Sequence, residues 1–146
     1  MVSQVKKFRF LEHTADAYIA AYGETLEEAF ENAALATFEV MTDTSQVRPT
    51  ITEALEVVGF DEKALLYNWL ESLLVRLDIK ENLYAIFSIK PIQRKVKGLR
   101  LRAVVKGERF DPKRHPQKVG VKAVTYHRME ISRKPNEVTV KFILDI

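Results

Sequence analysis

The sequence of 146 residues contains no cysteine. This absence excludes disulfide bonds, a thiolate nucleophile and a zinc site with cysteine ligands. The sequence also lacks a run of about 18 apolar residues, the length that a membrane-spanning helix needs. Its basic start, MVSQVKKFRF, has no apolar core of the kind found in signal peptides. These absences predict a cytoplasmic protein that does not enter a membrane.

Sequence motifs of common enzyme classes are absent as well. Neither glycine-rich phosphate-binding loop, G-x-x-x-x-G-K-[ST] or G-x-G-x-x-G, occurs in the chain. There is no G-x-S-x-G nucleophile motif, and the three histidines lack the H-E-x-x-H spacing of zinc hydrolases. The residues therefore provide no recognisable catalytic template.

Hydrophobic periodicity predicts an α+β fold. Thr25 and Glu28 form a capping box before apolar residues spaced three and four apart, which predicts a helix over residues 26–41. Asp61 precedes a leucine-rich stripe that extends to Leu77 and predicts a second helix. Alternating apolar segments predict about seven strands. We therefore expect two amphipathic helices packed on a mostly antiparallel or mixed β-sheet, in one layered domain of residues 1–146.

Positive charge is concentrated in one segment. Residues 90–122 carry 12 basic and 2 acidic side chains, whereas residues 1–89 carry 7 basic and 15 acidic ones. Such a segment is a solvated surface, a phosphate-binding surface or a surface for an acidic protein partner. Few aromatic residues lie among its cations, so stacking on single-stranded bases is not indicated. The candidate electrostatic face consists of Arg94, Lys95 and Lys97.

Two separate segments contain carboxylates at the borders of apolar strands. Asp16 follows His13 in FLEHTADAYIAAYG, where the local pattern fits a turn stabilised by side-chain hydrogen bonds. Asp145 and Ile146 end the chain directly after an apolar strand. If the α-carboxylate is held beside Asp145, a divalent cation would relieve their repulsion. Asp16 would add a third carboxylate if the first strands pair beside the last; the alternative is a frayed, solvated terminus.

Lys122 is the last candidate residue. It lies in the apolar segment GVKAVTYHRMEI, between residues typical of a strand. The pattern fits a lysine that is held in place for a function, and it also fits an edge-strand lysine that discourages aggregation.

Several segments, taken together, resemble the archease family. They are EHTAD, GETLEEAFENAALATFEVMTD, ALLYNWLESLLVRLD, VKAVTYH and the terminal DI, in the family's order and over nearly the whole chain. The resemblance implies a small accessory protein that is not an enzyme. It would assist an RtcB-type RNA ligase in tRNA splicing by promoting ligase guanylylation and multiple turnover. An older proposal for the family is a chaperone-like effect on a tRNA methyltransferase.

The resemblance also assigns roles to residues. It implies a divalent metal, with calcium favoured, bound by Asp16, Asp145 and the main chain or carboxylate of Ile146. It implies that Lys122 is needed for activation. The role of His13 is either to support a metal ligand through a hydrogen bond or to form a structural bend. RNA contact would be indirect or weak. The alternative function is a chaperone of a tRNA-modifying enzyme or, from the basic segment of the sequence, a nucleic-acid-binding module.

The role of Ile146 leads to the first testable prediction. Deleting Ile146, or appending a short tag after it, should weaken calcium binding because the α-carboxylate is moved to Asp145 or converted into an amide. Calorimetric titration of calcium into tagged and untagged protein measures this effect. Equal affinities would show that this carboxylate is not a ligand.

Overall fold

Eight strands and two α-helices form the part of the chain that the structure, a computed structural model, describes, namely residues 6–11 and 16–146. A short 3-10 helix, Thr44–Gln46, follows the first α-helix. The helices are α1 (Leu26–Met41) and α2 (Glu62–Lys80). The strands are β1 (Phe8–Leu11), β2 (Asp16–Gly23), β3 (Ile51–Gly59), β4 (Asn82–Ile89), β5 (Gln93–Lys95), β6 (Gly98–Arg109), β7 (Ala123–Lys134) and β8 (Glu137–Asp145).

The strands form two sheets. The first sheet has the order β1-β2-β8-β7, and the second has the order β3-β6-β4, with β5 also paired to β6. All of these strand pairs are antiparallel. The structure confirms the α+β prediction, but it divides the predicted sheet in two. The periodicity of a strand shows which face is buried and does not show which strand is its neighbour.

Local capping residues determine where both helices begin. The Thr25 hydroxyl accepts a hydrogen bond from the Glu28 N–H (3.1 Å), and the Glu28 carboxylate accepts one from the Glu24 N–H (2.9 Å). The Asp61 carboxylate accepts a hydrogen bond from the Ala64 N–H (2.8 Å) at the start of α2. These bonds satisfy N–H groups that the helices leave unpaired. The predicted starts of both helices are therefore confirmed.

The helices join the two sheets into one core. Helix α1 packs against β2 and β8 of the first sheet and β4 of the second, and α2 packs against β7 of the first and β3 and β6 of the second. The fully buried Trp69 of α2 donates its indole N–H to the main-chain oxygen of Phe30 in α1 (2.9 Å). Within the described ranges, no helix is both long and apolar enough to cross a membrane.

The connection between β6 and β7, residues 110–122, is held by the Glu108 carboxylate. Its two oxygens accept hydrogen bonds from the Arg48 N–H, the Arg114 guanidinium and the His115 ring, each at 2.8 Å. His115 is buried, and its Nδ1 accepts the Asp111 N–H, so its Nε2 carries the proton that it donates to Glu108. This network stabilises the loop that leads to Lys122.

Two acidic side chains in the fold have a strongly lowered pKa. Burial tends to raise the pKa of Glu108, but the hydrogen bonds from Arg48, His115 and Arg114 outweigh burial and lower it to about 2. Burial also tends to raise the pKa of Glu53, but hydrogen bonds from Lys80, Tyr84 and Asn82 outweigh it and lower this pKa to about 2. A lowered pKa stabilises the fold above the pKa of the unfolded chain, and this stabilisation is lost as pH falls toward 2.

Replacing Glu108 should reveal this stabilisation. We predict that Glu108→Gln lowers the free energy of unfolding at pH 7 by about 2 kcal/mol, since the bonds lost involve charged groups. The variant should also lose less stability than the wild type between pH 4.5 and pH 2. Urea denaturation at several pH values measures both effects.

Glu56→Gln is the matched control, because the Glu56 side chain is 47% exposed and lies outside this network. Exposed ion pairs contribute little, so this variant should keep nearly the stability of the wild type. Parallel pH profiles for Glu108→Gln and the wild type would contradict the assignment.

Candidate functional site

The pairing of β2 with β8 brings together two carboxylates that are far apart in the sequence. In the antiparallel register, Asp16 lies directly opposite Asp145. Side chains of opposite residues point to the same face, with Cβ atoms typically about 5 Å apart. The structure thus contains the strand pairing on which a shared site for Asp16 and Asp145 depends.

These two carboxylates are on the sheet face that points away from the main core. In β8, Phe142 and Leu144 are fully buried in that core, so Asp145 faces the other way and is exposed. Further along the same outer face lie Tyr18 and Ile143, which are buried but do not belong to the main core cluster. The carboxylate pair therefore borders a small apolar area at the end of the strands.

Lys122 reaches the same strand end from the other side of β8. Its N–H donates a hydrogen bond to the main-chain oxygen of Asp145 (2.7 Å), and the next residue, Ala123, is the register partner of Asp145. The Lys122 side chain is exposed. The sequence predicted a strand that includes Lys122, but β7 begins at Ala123. Its main chain is nevertheless fixed next to the carboxylate pair.

Arg128 is a neighbour of this site that the sequence did not indicate. Between Thr125 and Glu130, β7 advances five residues while β8 advances two, so three extra residues form a bulge. Arg128 lies in this bulge with a positive φ of 58°, and its guanidinium lies 4.9 Å from the centre of the Tyr18 ring. This places a cation over the same sheet face as the carboxylates.

The side chains at this strand end include two carboxylates, the type of ligand that a hard divalent cation prefers. Asp16 and Asp145 supply carboxylate oxygens on one face, and the half-buried Ile146 follows directly with main-chain oxygen. Oxygen ligands of this kind suit calcium or magnesium. Among residues 6–11 and 16–146, no group of three or more His, Cys, Asp or Glu side chains gathers. His13 lies outside the described residues, and the metal ligands remain predictions.

The other predicted surface, Arg94, Lys95 and Lys97, lies far from the carboxylates. Arg94 pairs with Glu62 (3.0 Å), which also pairs with Arg133 of β7. Arg133 is opposite Val138, seven residues before Asp145 on β8. At roughly 3.3 Å per residue, the two ends of this strand are about 23 Å apart. The carboxylates and this basic face therefore form two separate surfaces.

Much of the basic segment is neutralised by the acidic first half of the chain. Arg100 and Arg102 both pair with Glu56, and Lys118 pairs with Glu39 (2.7 Å). Arg109 pairs with Glu81 in the same way. Half of the twelve cations in residues 90–122 therefore pair with carboxylates of the same chain, which weakens the interpretation of the whole segment as a phosphate-binding surface.

Comparison with known proteins gives a consistent family match. The family model described as "Archease protein family (MTH1598/TM1083)" matches residues 8–146. A protein named archease from Sulfurisphaera tokodaii is 47% identical, and the match covers 97% of this chain and 100% of that protein. A protein of the same name from Methanosarcina mazei is 37% identical, with 100% of both chains covered.

Solved structures share the fold. The solution structure of Methanobacterium thermoautotrophicum protein 1598 is 42% identical with a TM-score of 0.84, covering 97% of this chain and all of that one. A Thermotoga maritima archease described as a possible chaperone is 18% identical with a TM-score of 0.63, covering 99% of this chain and all of that one. The second likeness concerns the fold alone.

Proposed function

Because the chain belongs to the archease family, we propose that it is an accessory protein that activates an RtcB-type RNA ligase in tRNA splicing. It would promote guanylylation of the ligase and its multiple turnover in the cytoplasm, without catalysing a reaction of its own. The observation that carries this proposal is the register of β2 and β8, which places Asp16 opposite Asp145 beside Lys122.

The carboxylates have a clear chemical role in this proposal. Asp16, Asp145 and the oxygens of Ile146 would hold a divalent cation, with calcium favoured by an all-oxygen ligand set. When bound, such an ion neutralises the carboxylates and supplies a positive charge at the end of β8. The two aspartates are fixed by their strands, so little order has to be gained on binding.

Lys122 would have a different role. Its exposed ammonium group is a cation and cannot act as a metal ligand at neutral pH. The hydrogen bond from its main chain to Asp145 keeps it beside the carboxylates. We therefore expect the side chain to contact a phosphate or an acidic group of the ligase complex.

A basic nucleic-acid-binding module is the alternative function, and the structure gives it less support. Arg94, Arg100, Arg102, Arg109 and Lys118 pair with carboxylates of this chain. Direct RNA binding requires cations that are free to neutralise phosphates and shows strong salt dependence. Salt-sensitive RNA binding by the isolated protein would favour this alternative.

Substitution of the aspartates tests the metal site. We predict that Asp16→Asn and Asp145→Asn each weaken calcium binding by at least about tenfold, because even supporting residues of metal sites have effects of this size. Glu137→Gln is the control, since Glu137 is exposed at the opposite end of β8. Calorimetric titrations and thermal melts measure affinity and folding.

A folded Asp16→Asn variant with unchanged calcium affinity would exclude Asp16 as a ligand. An Asp16→Asn variant that does not fold would show that Asp16 is a structural residue, and the Asp145→Asn titration then decides whether the strand end binds metal.

Substitution of Lys122 tests the activation step separately. We predict that Lys122→Ala binds calcium like the wild type but fails to stimulate guanylylation of the ligase, because the side chain is not a ligand. Lys134→Ala, at the far end of β7, should retain full stimulation. Normal stimulation by Lys122→Ala would contradict the role assigned to this residue.

A further inference from the structure

The β5–β6 hairpin and the end of β3 form a second exposed surface, which we call the hairpin patch. It consists of Val58, Phe60, Lys95, Val96 and Lys97. The exposed fraction is 60% for Val58 and 79% for Phe60, and Val96 is fully exposed. Apolar side chains that gather on a surface mark an interaction site more often than single exposed ones do.

Phe60 is exposed, although its position just before α2 would allow it to pack against that helix. It precedes the capping residue Asp61, where an apolar side chain often packs against the first turns of the helix. Leu65 in α2 is fully buried, yet Phe60 is not packed into the core. The side chain is therefore available for contact with another molecule.

Two depressions include residues of the hairpin patch in their lining. One depression of about 450 Å³ lies between Phe60, Val58 and the two lysines. A second depression of about 370 Å³ is lined by Phe60, Val96 and Arg94, among others. Each has a volume within the range of sites that hold side chains or small ligands.

Close main-chain packing holds this surface in place. A Cβ atom on Gly98 would come within 2.6 Å of the Gly59 oxygen, and one on Gly59 would come within 2.5 Å of the Leu65 nitrogen. The hairpin, the end of β3 and the start of α2 therefore contact one another through their backbones. A surface fixed in this way loses little freedom when it binds a partner.

The charges of the hairpin patch favour an acidic partner. Lys95 and Lys97 are exposed and have no ion pair in the described part of the chain. The nearby Arg94 and Arg100 are already paired with Glu62 and Glu56. Two unpaired lysines beside apolar side chains suit a partner segment that presents a few carboxylates and an apolar side chain.

An RNA strand fits the hairpin patch less well. A phosphate backbone would meet only two unpaired lysines, whereas binding through phosphates needs a longer series of cationic contacts. Phe60 is the one aromatic side chain of the hairpin patch, so successive bases of a strand would find a single stacking plane there. We propose that the hairpin patch binds a short acidic segment of a partner protein that carries at least one apolar side chain.

This proposal does not depend on the activator function, and peptides can test it directly. The probe is a ten-residue peptide of glutamate and aspartate around a central leucine-phenylalanine pair. The comparison probe has glutamine and asparagine at the acidic positions. NMR titration of the isotope-labelled protein should show shifts at Phe60, Val96 and Lys97, with the acidic peptide binding at least about tenfold more tightly.

Charge-reversal variants show where the acidic peptide binds. The double variant Lys95→Glu, Lys97→Glu should bind the acidic peptide at least about tenfold more weakly than the wild type. The variant Phe60→Ser should also bind this peptide more weakly. The control is Lys106→Glu with Lys113→Glu, because both lysines are exposed and lie away from the hairpin patch. This control should change the affinity less than about twofold.

Four outcomes would overturn the proposal. The first is the absence of NMR shifts at the hairpin patch up to about 1 mM peptide, a concentration that reveals even weak binding. The second is equal affinity for the acidic and the neutral peptide, and the third is an equal loss of peptide affinity in the control variant with Lys106→Glu and Lys113→Glu. The fourth is tighter binding of a ten-nucleotide single-stranded RNA to the same residues.

Discussion

The antiparallel pairing of β2 with β8 fixes both the core face of the first sheet and the position of the two aspartates. Its register pairs Ile19 with Phe142 on the core face and Asp16 with Asp145. A shift of one residue would turn an aspartate toward the core and an apolar side chain toward water, so burial fixes the register. The position of the two carboxylates is thus a consequence of how α1 and the sheet pack.

Local features were predictable from the sequence, and long-range features were not. The limits of α1 follow from Thr25 and from apolar spacing, which act within a few residues. The division into two sheets and the bulge that carries Arg128 depend on strand pairing, which no local pattern encodes. The aspartates were recognisable as candidates, but their proximity depended on a pairing that the structure had to supply.

The charge pattern of the sequence likewise did not show which cations pair with carboxylates in the fold. The basic segment suggested an electrostatic surface, yet residues such as Arg102 and Lys118 pair with glutamates from the first half of the chain. In the folded protein, Lys122 lies beside Asp145 at one end of the first sheet, whereas the hairpin patch lies at the second sheet. Substitutions can therefore change the carboxylate pair and the hairpin patch independently, because the two surfaces share no side chain.

Paramagnetic NMR with manganese tests the central claim, that the β2–β8 register creates a divalent cation site. Manganese accepts the same oxygen ligands and broadens signals of nearby amides. Sub-stoichiometric manganese should first broaden the amide signals of Ala17, Ala123, Leu144 and Asp145, and excess calcium should restore these signals. Broadening centred elsewhere, for example on the acidic first turn of α1, or broadening that calcium does not reverse, would contradict it.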